Sequence, residues 1–317
     1  MKKPLDSNLQ GGIDLHLHST ASDGTCPPSE LLCMASDMGL EAIAITDHDT
    51  LQGVLGVLQS PIPERLHLLT GVEISTQAPE GFTVGGSLHI LGYGVDVDDA
   101  PLQDALSELQ AARDSRIPLI VDRLNAMGIA LTMEQVLAHA GTGSPGRPHV
   151  ASALIRMGIV ESVDEAFDRL LSKGRPGYVD KYRIPCRRAI ECIEQAGGVA
   201  VLAHPYLVPG GDHADTLAPL VRALCDIGLA GIEVYYPEHS PEAVAHYLEV
   251  ARQFDLLVTG GTDFHGALTP DIQMGRGRGD LHIPLALYEA LAARVSPRGR
   301  IVAGPRTQGA ACAPTDH

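Results

Sequence analysis

Short apolar segments that carry histidine or carboxylate residues recur along this sequence, and they limit its fold more than any other feature. Seven such segments lie at 12–18, 42–48, 67–75, 88–94, 199–204, 231–236 and 256–263. Helical patterns occupy several of the intervals between them. Near-continuous apolar strands that alternate with helices are typical of parallel sheets covered on both faces. We therefore predict an α/β fold with parallel strand pairing.

The order of the predicted elements favours a barrel with an insertion. No glycine-rich dinucleotide-binding motif follows the first segment, so the pattern does not indicate an open nucleotide-binding sheet. Seven strands of this kind favour a closed barrel, in which the carboxyl ends of the strands share one rim. Residues 101–175 interrupt the alternation, because they contain only helical patterns separated by glycines. We expect the barrel at 12–100 and 176–297, an inserted helical subdomain at 101–175, and a flexible tail at 303–317.

Histidine and carboxylate residues lie at the strand ends that we expect to form the rim of the barrel. These residue types indicate a metal site. The nine candidate ligands are His16, His18, Asp23, His48, Glu73, His89, His204, Asp263 and His265. His16 and His18 alternate with Leu17, so both project from one face of their strand. Neutral imidazoles and carboxylates bind zinc, manganese or iron, and no cysteine occupies these positions. Nine ligands exceed the needs of one tetrahedral ion, so we expect two to three divalent metal ions.

The motifs around these residues resemble those of the PHP (polymerase and histidinol phosphatase) family. They stand in this sequence as DLHLHSTASDG, TDHD, GVEIS, LHILGY, AHP and GTDFH, and the resemblance covers about 12–297. The resemblance implies a metal-dependent phosphoesterase built on a distorted (β/α)7 TIM-like barrel. Every ligand position of the family is filled.

The resemblance also implies how the ligands are shared among the ions, with Glu73 as a bridge. The sets implied for a first, a second and a third ion are His16, His18, Glu73 and Asp263; Glu73, His89 and His204; and Asp23, His48 and His265. Binuclear amidohydrolases also open with a His-x-His strand, but they usually bridge their ions through a carboxylated lysine. None of the four lysines here lies at a strand end, which favours the phosphoesterase.

Candidate substrate-binding residues lie in and after the inserted segment and after the sixth strand. From 147 to 188, nine basic residues outnumber five acidic ones, in a protein with a net charge of −16. Planar guanidinium groups suit bidentate phosphate contacts, and a tyrosine offers a surface on which a base can stack. The candidates are Arg147, His149, Lys173, Arg175, Lys181, Tyr235 and His239.

The inserted segment, with the motifs RPH, PGYV and EVYYPEHS, resembles a PHP subgroup that acts on nucleotides. Members of that subgroup hydrolyse nucleoside 3′,5′-bisphosphates and trim short 5′-phosphorylated RNA from its 5′ end. We expect a phosphoric ester hydrolase with one or both activities, in which water activated between two ions attacks phosphorus in line. The catalytic candidates, with His239 as a general acid, are Glu73, Asp23, Arg147, His149 and His239.

Charge and hydrophobicity narrow the range of partners. A net charge of −16 and few aromatic residues argue against an extended nucleic-acid surface. The expected partner is a small phosphorylated nucleotide or the 5′ end of a short RNA. No apolar run reaches the ~20 residues of a membrane span. The first residues also lack the apolar stretch of a signal peptide, so we expect a cytoplasmic protein without membrane contact.

Three other functions stay open. A histidinol-phosphate phosphatase would use the same ligands on a smaller phosphomonoester, and comparing its substrate with a 3′,5′-bisphosphate nucleotide separates the two functions. A polymerase-associated exonuclease domain is a second alternative, although no polymerase segment follows. A metal-binding regulatory barrel without catalysis is the third. Metal-loaded protein that is inert on every phosphoester would indicate this last alternative.

Overall fold

The computed structural model describes residues 12–82, 88–138, 146–208 and 214–304. The chain forms two compact units. The barrel unit comprises Met1–Leu106 and Ile184–His317, and the helical unit comprises Ser107–Arg183. We expected the insertion to begin at 101 and to end at 175.

The barrel unit is built on a nearly closed sheet of seven strands, which confirms the predicted α/β barrel. These strands follow one another around the sheet in the order β1 (Ile13–Leu17), β2 (Ala42–Ile45), β3 (His67–Gln77), β4 (Leu88–Tyr93), β6 (Val199–Leu202), β7 (Gly231–Tyr235) and β8 (Leu257–Gly260). Two further short strands, β5 (Ile184–Pro185) and β9 (Ile301–Ala303), pair with β3. Ala303 therefore ends a strand, whereas the rest of the predicted tail lies outside the described residues from 305 onward.

One of the seven barrel strands runs against its neighbours, so the prediction of parallel pairing is wrong there. β4 is antiparallel both to β3, where Ser75 pairs with His89, and to β6, where Tyr93 pairs with Val199. The connection between β3 and β4, residues 78–87, is shorter than the minimum of about 12 residues that a parallel crossover needs. The reversal places the beginning of β4, and with it His89, at the rim where the other strands end.

Helices alternate with the strands of the barrel unit, and the helical unit contains helices joined by turns. In chain order they are α1 (Pro28–Asp37), α2 (Gln52–Leu58), α3 (Ala100–Ala126), α4 (Met133–Leu137), α5 (Arg147–Arg156), α6 (Val163–Ala166), α7 (Cys186–Gln195), α8 (Ala214–Cys225), α9 (Pro241–Phe254) and α10 (Leu285–Ala292). A π-helical turn, Phe167–Leu171, follows α6. Within the described ranges, no helix combines the length and the hydrophobicity that crossing a membrane requires.

Each unit has its own apolar core. In the barrel unit, Ile13 and Leu15 of β1 pack with apolar residues of the neighbouring strands and are fully buried. In the helical unit, Leu124 of α3 and Leu154 of α5 belong to a separate buried cluster. The barrel interior also buries ionisable groups, among them Asp14, which lies between the two core residues of β1. Ionisable groups are costly to bury unless they are paired or bound to a metal. The partners of these buried groups therefore show where a functional site lies.

Candidate metal centre

The ends of β1 and β8 meet where the barrel closes. The backbone N–H of His18 donates to the carbonyl of Phe264 at 3.0 Å, and Leu17 pairs with Phe264 in a parallel bridge. Gly261 lies so close to β1 that a Cβ atom there would come within 2.4 Å of the backbone nitrogen of His16. This approach, which only glycine permits, brings the residues that follow β8 beside the two histidines of β1.

Glu73, on β3, lies completely buried at the centre of the rim. The imidazoles with a nitrogen within 3.4 Å of its carboxylate belong to His16, His18, His48, His89 and His204. Oε1 lies 2.8 Å from His89 Nδ1 and 2.8 Å from His204 Nε2. Oε2 lies 2.9 Å from His48 Nδ1. Both oxygen atoms of one carboxylate are therefore available to different neighbours, as a bridging ligand requires.

Three overlapping groups of side chains at this rim could hold metal ions. They consist of His16, His18, Glu73 and Asp263; of His48, Glu73 and His89; and of His18, Asp23, His48 and His265. Within each group the ligand atoms lie within 4.8 Å of one another. We call these the inner, middle and outer groups. His204 lies beside the middle group, with Nε2 3.3 Å from His89 Nδ1.

The outer group is the part of the site that faces solvent. The side chain of Asp23 is 37% exposed, whereas those of His16, His18 and Glu73 are fully buried. Asp23 Oδ1 lies 3.4 Å from His265 Nε2 and 3.7 Å from His18 Nδ1. Since the other nitrogen of His18 faces the inner group, the ring of His18 lies between two possible metal positions.

The chemistry of these atoms fits divalent cations. Among the described residues, Nε2 of His16, Nε2 of His18 and Oε2 of Glu73 are buried and make no hydrogen bond. Buried polar atoms usually have a partner, and exceptions call for a ligand or an ion. Mixed nitrogen and oxygen ligands suit manganese, zinc and iron, and the donor set does not distinguish among them.

Burial and neighbouring charges shift the pKa values of these groups. Burial lowers the pKa of His18, but the carboxylates of Asp263 and Glu73 outweigh it and raise that pKa to about 10. Burial raises the pKa of Glu73, yet the imidazoles of His48 and His89 hold it well below its ordinary value. Burial lowers the pKa of His89 to about 4, so this ring is neutral at pH 7. A bound cation has to displace protons from the charged histidines, so metal binding is coupled to proton release.

Glu233, on β7, holds two of the candidate ligands, His16 and His204, by hydrogen bonds. It is fully buried, and its Oε1 accepts a hydrogen bond from His16 Nδ1 at 2.9 Å. Its Oε2 accepts the backbone N–H of His204 at 2.7 Å, where the chain takes a φ of 25°. A carboxylate on Nδ1 fixes the ring so that Nε2 faces the metal, and it makes the imidazole a stronger ligand.

Replacing Glu233 with glutamine is therefore expected to lower the apparent metal affinity by about 10- to 100-fold. The amide retains the shape of the side chain but loses the charge that orients and polarises His16. The measurement is the activity of chelator-treated protein as manganese is added back. An unchanged half-saturating manganese concentration would remove Glu233 from this supporting role.

Asp14 joins β1 to the segment that carries Asp263. Its Oδ1 accepts the backbone N–H of Thr262 at 2.9 Å, and its Oδ2 accepts the Thr262 hydroxyl at 2.6 Å and the Gly275 N–H at 2.7 Å. Burial raises the pKa of Asp14 to about 6, although these donors act in the opposite direction. The carboxylate thus fixes the backbone next to Asp263, whose own φ is 52°.

The two aspartates of the TDHD motif hold neighbouring loops. Asp47 Oδ1 accepts the N–H of Ser19 at 2.8 Å and the hydroxyl of Ser22 at 2.7 Å, which fixes the turn that leads to Asp23. Asp49 accepts the N–H of Ser75 at 2.7 Å, which ties it to β3 two residues after Glu73. The motif therefore alternates supporting carboxylates with one candidate ligand, His48.

The residues at and after the end of β7 lie partly in the barrel core and partly at the metal site. Tyr235 is partly buried and packs against the barrel core, and its base-stacking role stays a prediction. Tyr236 donates its hydroxyl to Asp263 Oδ2 at 2.8 Å, which leaves Oδ1 of Asp263 facing His18 at 2.9 Å. His239 Nδ1 donates to the carbonyl of Val234 at 2.7 Å, and its ring centre lies 5.2 Å from that of Tyr236.

The other predicted substrate-binding residues belong to the helical unit. Arg147 begins α5 and donates to the Leu171 carbonyl at 3.3 Å. His149 accepts the Gly146 N–H through Nδ1 at 2.9 Å, which caps the same helix. Lys173 and Arg175 are exposed, and Lys181 is half-buried, in the segments that follow. The structure describes these residues within their own unit, and their roles stay predictions.

The fold and the rim together define a barrel metalloenzyme of the hydrolase class. A family model described as PHP domain matches residues 14–140. The 5′-3′ exoribonuclease Rnm of Salmonella typhimurium is 33% identical over 273 residues, which are 86% of this chain and 90% of that protein. The chain belongs to the PHP family and is a metal-dependent phosphoesterase, as its motifs predicted.

Two further comparisons agree with this assignment. The 3′,5′-nucleoside bisphosphate phosphatase of Chromobacterium violaceum is 30% identical over 254 residues, covering 80% of this chain and 87% of that protein. A crystal structure described as that of a metal-dependent phosphoesterase from Bifidobacterium adolescentis matches with a TM-score of 0.69 and 30% identity. That match covers 90% of this chain and 96% of the crystal structure.

Proposed function

We propose that this phosphoesterase removes phosphate from nucleoside 3′,5′-bisphosphates, trims short 5′-phosphorylated RNA from its 5′ end, or does both. The observation that carries the proposal is the single buried carboxylate, Glu73, shared by the inner and middle groups. The names of two relatives, an exoribonuclease and a bisphosphate phosphatase, support these two substrate classes.

The inner, middle and outer groups are the proposed holders of two to three divalent ions. Asp23 and His265 would hold the ion nearest to solvent, while His16 and Asp263 would hold the most buried one. His204 would complete the middle group through Nε2, which lies beside Glu73. When bound, such ions act as Lewis acids that activate water and neutralise charge on a phosphoryl group.

The protein's own residues explain why cations are needed at this rim. Asp23, Glu73 and Asp263 present three carboxylates to the site, and their pKa values are all held below the ordinary range by the surrounding histidines, which outweigh the effect of burial. These groups are ionised at neutral pH, and metal ions that displace the protons of the neighbouring histidines would supply the positive charge that binds a phosphate. Glu233 and Asp14 keep the ligands in place, which lowers the reorganisation that binding would require.

The proposed proton donor to the leaving oxygen is His239. Its Nδ1 is engaged by the Val234 carbonyl, so Nε2 is the atom through which it would transfer a proton. Arg147, His149, Lys173, Arg175 and Lys181 are proposed to contact phosphate groups of the substrate. Each of these roles follows from the sequence motifs.

The function is tested by phosphate release from chelator-stripped and manganese-reconstituted protein. The substrates are adenosine 3′,5′-bisphosphate, a short 5′-phosphorylated RNA, a cyclic nucleotide phosphodiester and histidinol phosphate. We expect metal-dependent turnover, with kcat/KM at least about tenfold higher for the bisphosphate or the RNA than for histidinol phosphate. Higher turnover of histidinol phosphate would support that phosphatase instead. Metal-loaded protein that is inert on all of these would contradict the proposal.

A further inference from the structure

Asp263 presents its two carboxylate oxygen atoms to different kinds of neighbour. Oδ1 lies 2.9 Å from Nε2 of His18 and 3.4 Å from Nε2 of His16, so it faces the other members of the inner group. Oδ2 accepts a hydrogen bond from the hydroxyl of Tyr236 at 2.8 Å. One oxygen atom is therefore directed at a candidate metal position, while a neutral donor engages the other.

The second carboxylate of the inner group, that of Glu73, is held in a different way. Its Oε1 lies 2.8 Å from Nδ1 of His89, and its Oε2 lies 2.9 Å from Nδ1 of His48. Both oxygen atoms of Glu73 thus face candidate ligands, as sharing between two groups requires. Of the three groups, Asp263 is a member of the inner group only, so a single oxygen atom is enough for its role.

The ring of Tyr236 is fixed by the aromatic rings around it. The side chain is buried, and its ring centre lies 5.8 Å from that of His204 and 6.5 Å from that of His16. The ring of Tyr206 lies 5.3 Å away. Because a closely packed ring has few alternative positions, the place of the Tyr236 hydroxyl is set before any ion binds.

Packing does not explain why this residue carries a hydroxyl. A phenylalanine would fill the same space without burying a polar atom. The backbone at Asp263 is already fixed, because Asp14 accepts the N–H of Thr262 at 2.9 Å. The last torsion of an aspartate side chain has a broad energy minimum, however, so a fixed backbone does not set the direction of the carboxylate oxygen atoms. The hydrogen bond from Tyr236 restrains that rotation.

We infer that Tyr236 is a positioning residue, whose hydroxyl holds Asp263 so that Oδ1 alone binds the ion of the inner group. The inference rests on the metal-holding role proposed above for Asp263. Without the donor, the carboxylate is free to rotate or to offer both oxygen atoms to one ion. Ordering it on binding then lowers the net affinity for the metal, as the loss of other groups that orient ligands does.

The test is the titration of manganese into the chelator-treated full chain, followed by isothermal titration calorimetry. Tyr236→Phe removes the hydroxyl and keeps the ring. We expect the dissociation constant of one manganese ion to rise about 10- to 100-fold in this variant. Tyr288→Phe is the matched control, because Tyr288 is a similarly buried tyrosine whose ring lies beside His67, at the start of β3 and away from the rim. The control is expected to bind manganese as the unaltered protein does.

The outcomes separate positioning from a structural role. A structural role alone would lower the melting temperature of metal-free Tyr236→Phe and leave its manganese affinity unchanged, and this result would overturn the inference. Equal losses of affinity in both variants would also overturn it. The titration contains no substrate, so it stands even if the protein hydrolyses neither bisphosphates nor RNA. Unaltered protein that binds no manganese would instead contradict the metal centre as a whole.

A crystal structure of the unaltered, manganese-loaded protein gives a second test that does not depend on a variant. We expect Oδ1 of Asp263 at about 2.0 to 2.2 Å from a manganese ion. Oδ2 should remain within about 3.0 Å of the Tyr236 hydroxyl. Both oxygen atoms of Asp263 bound to the same ion, or Oδ2 separated from Tyr236, would overturn the inference.

Discussion

Replacing Glu73 with glutamine is expected to lower kcat/KM by about 1,000-fold, because it removes the one buried charge that several imidazoles share. Glutamine has nearly the same shape, so the barrel retains its packing. The change removes the carboxylate oxygen that lies within 2.9 Å of His48 and the one that lies within 2.9 Å of His204. The expected loss therefore includes metal content as well as turnover.

Metal analysis by inductively coupled plasma mass spectrometry checks this result alongside the kinetics. Glu249→Gln is the matched control, since Glu249 is an exposed glutamate of α9 that pairs only with Arg252 in the described structure. The control should retain both metal and activity. A Glu73→Gln protein with the metal content and kcat of the unaltered protein would show that Glu73 is not a shared ligand.

Asp23→Asn is expected to remove the ion of the outer group and to lower kcat by about 100-fold, while the buried groups retain their metal. Asp23 belongs to the outer group, where its oxygen atoms lie 3.4 Å from His265 and 3.8 Å from His48. Asparagine has nearly the shape of aspartate, so the metal-free protein should keep its fold. Its melting temperature should fall, because the attraction between the Asp23 carboxylate and the neighbouring imidazoles is lost.

The test for Asp23 is metal stoichiometry measured together with activity. Asp37→Asn, an exposed aspartate at the end of α1, serves as its control. Loss of one equivalent of metal with retention of the rest is the expected outcome. Full metal content combined with full activity would refute the separate outer ion, and loss of all metal would show that the groups bind as one unit.

Much of the fold and of the rim could be predicted from the sequence, because the pattern that marks a strand lies within a short stretch of residues. Alternation in His16-Leu17-His18 fixes which side chains share a face, and apolar segments of six to nine residues mark the strands independently of their pairing. Closure of the barrel then brings the strand ends together, so residues distant in the chain converge on Glu73.

Strand direction and the supporting carboxylates were harder to predict. The residue pattern of an apolar strand does not show in which direction the strand runs in the sheet. Predicting the reversal of β4 therefore requires attention to its short connection to β3. Asp14 and Glu233 lie in predicted strands but are not among the nine predicted ligands, and the sequence predicted no role for them. The structure shows their role through the donors that fill their oxygen atoms. A carboxylate flanked by two core residues, as in Ile13-Asp14-Leu15, is the signal that could have marked such a support.

Arg116 shows the remaining limit. It lies in a long helix whose exposed face is rich in charge, where one arginine resembles any other. Its side chain donates to the carbonyl of Val179, 63 positions later in the sequence, and this contact forms only in the folded helical unit. No local pattern carries that information.

The central claim is that metal ions shared through Glu73 form the reactive centre of this phosphoesterase. Anomalous scattering at the manganese absorption edge, from crystals of active manganese-loaded protein, tests it most directly. We expect manganese peaks at coordination distance, about 2.0 to 2.2 Å, from both oxygen atoms of Glu73. Peaks located only away from Glu73, in protein that hydrolyses its substrate, would contradict it.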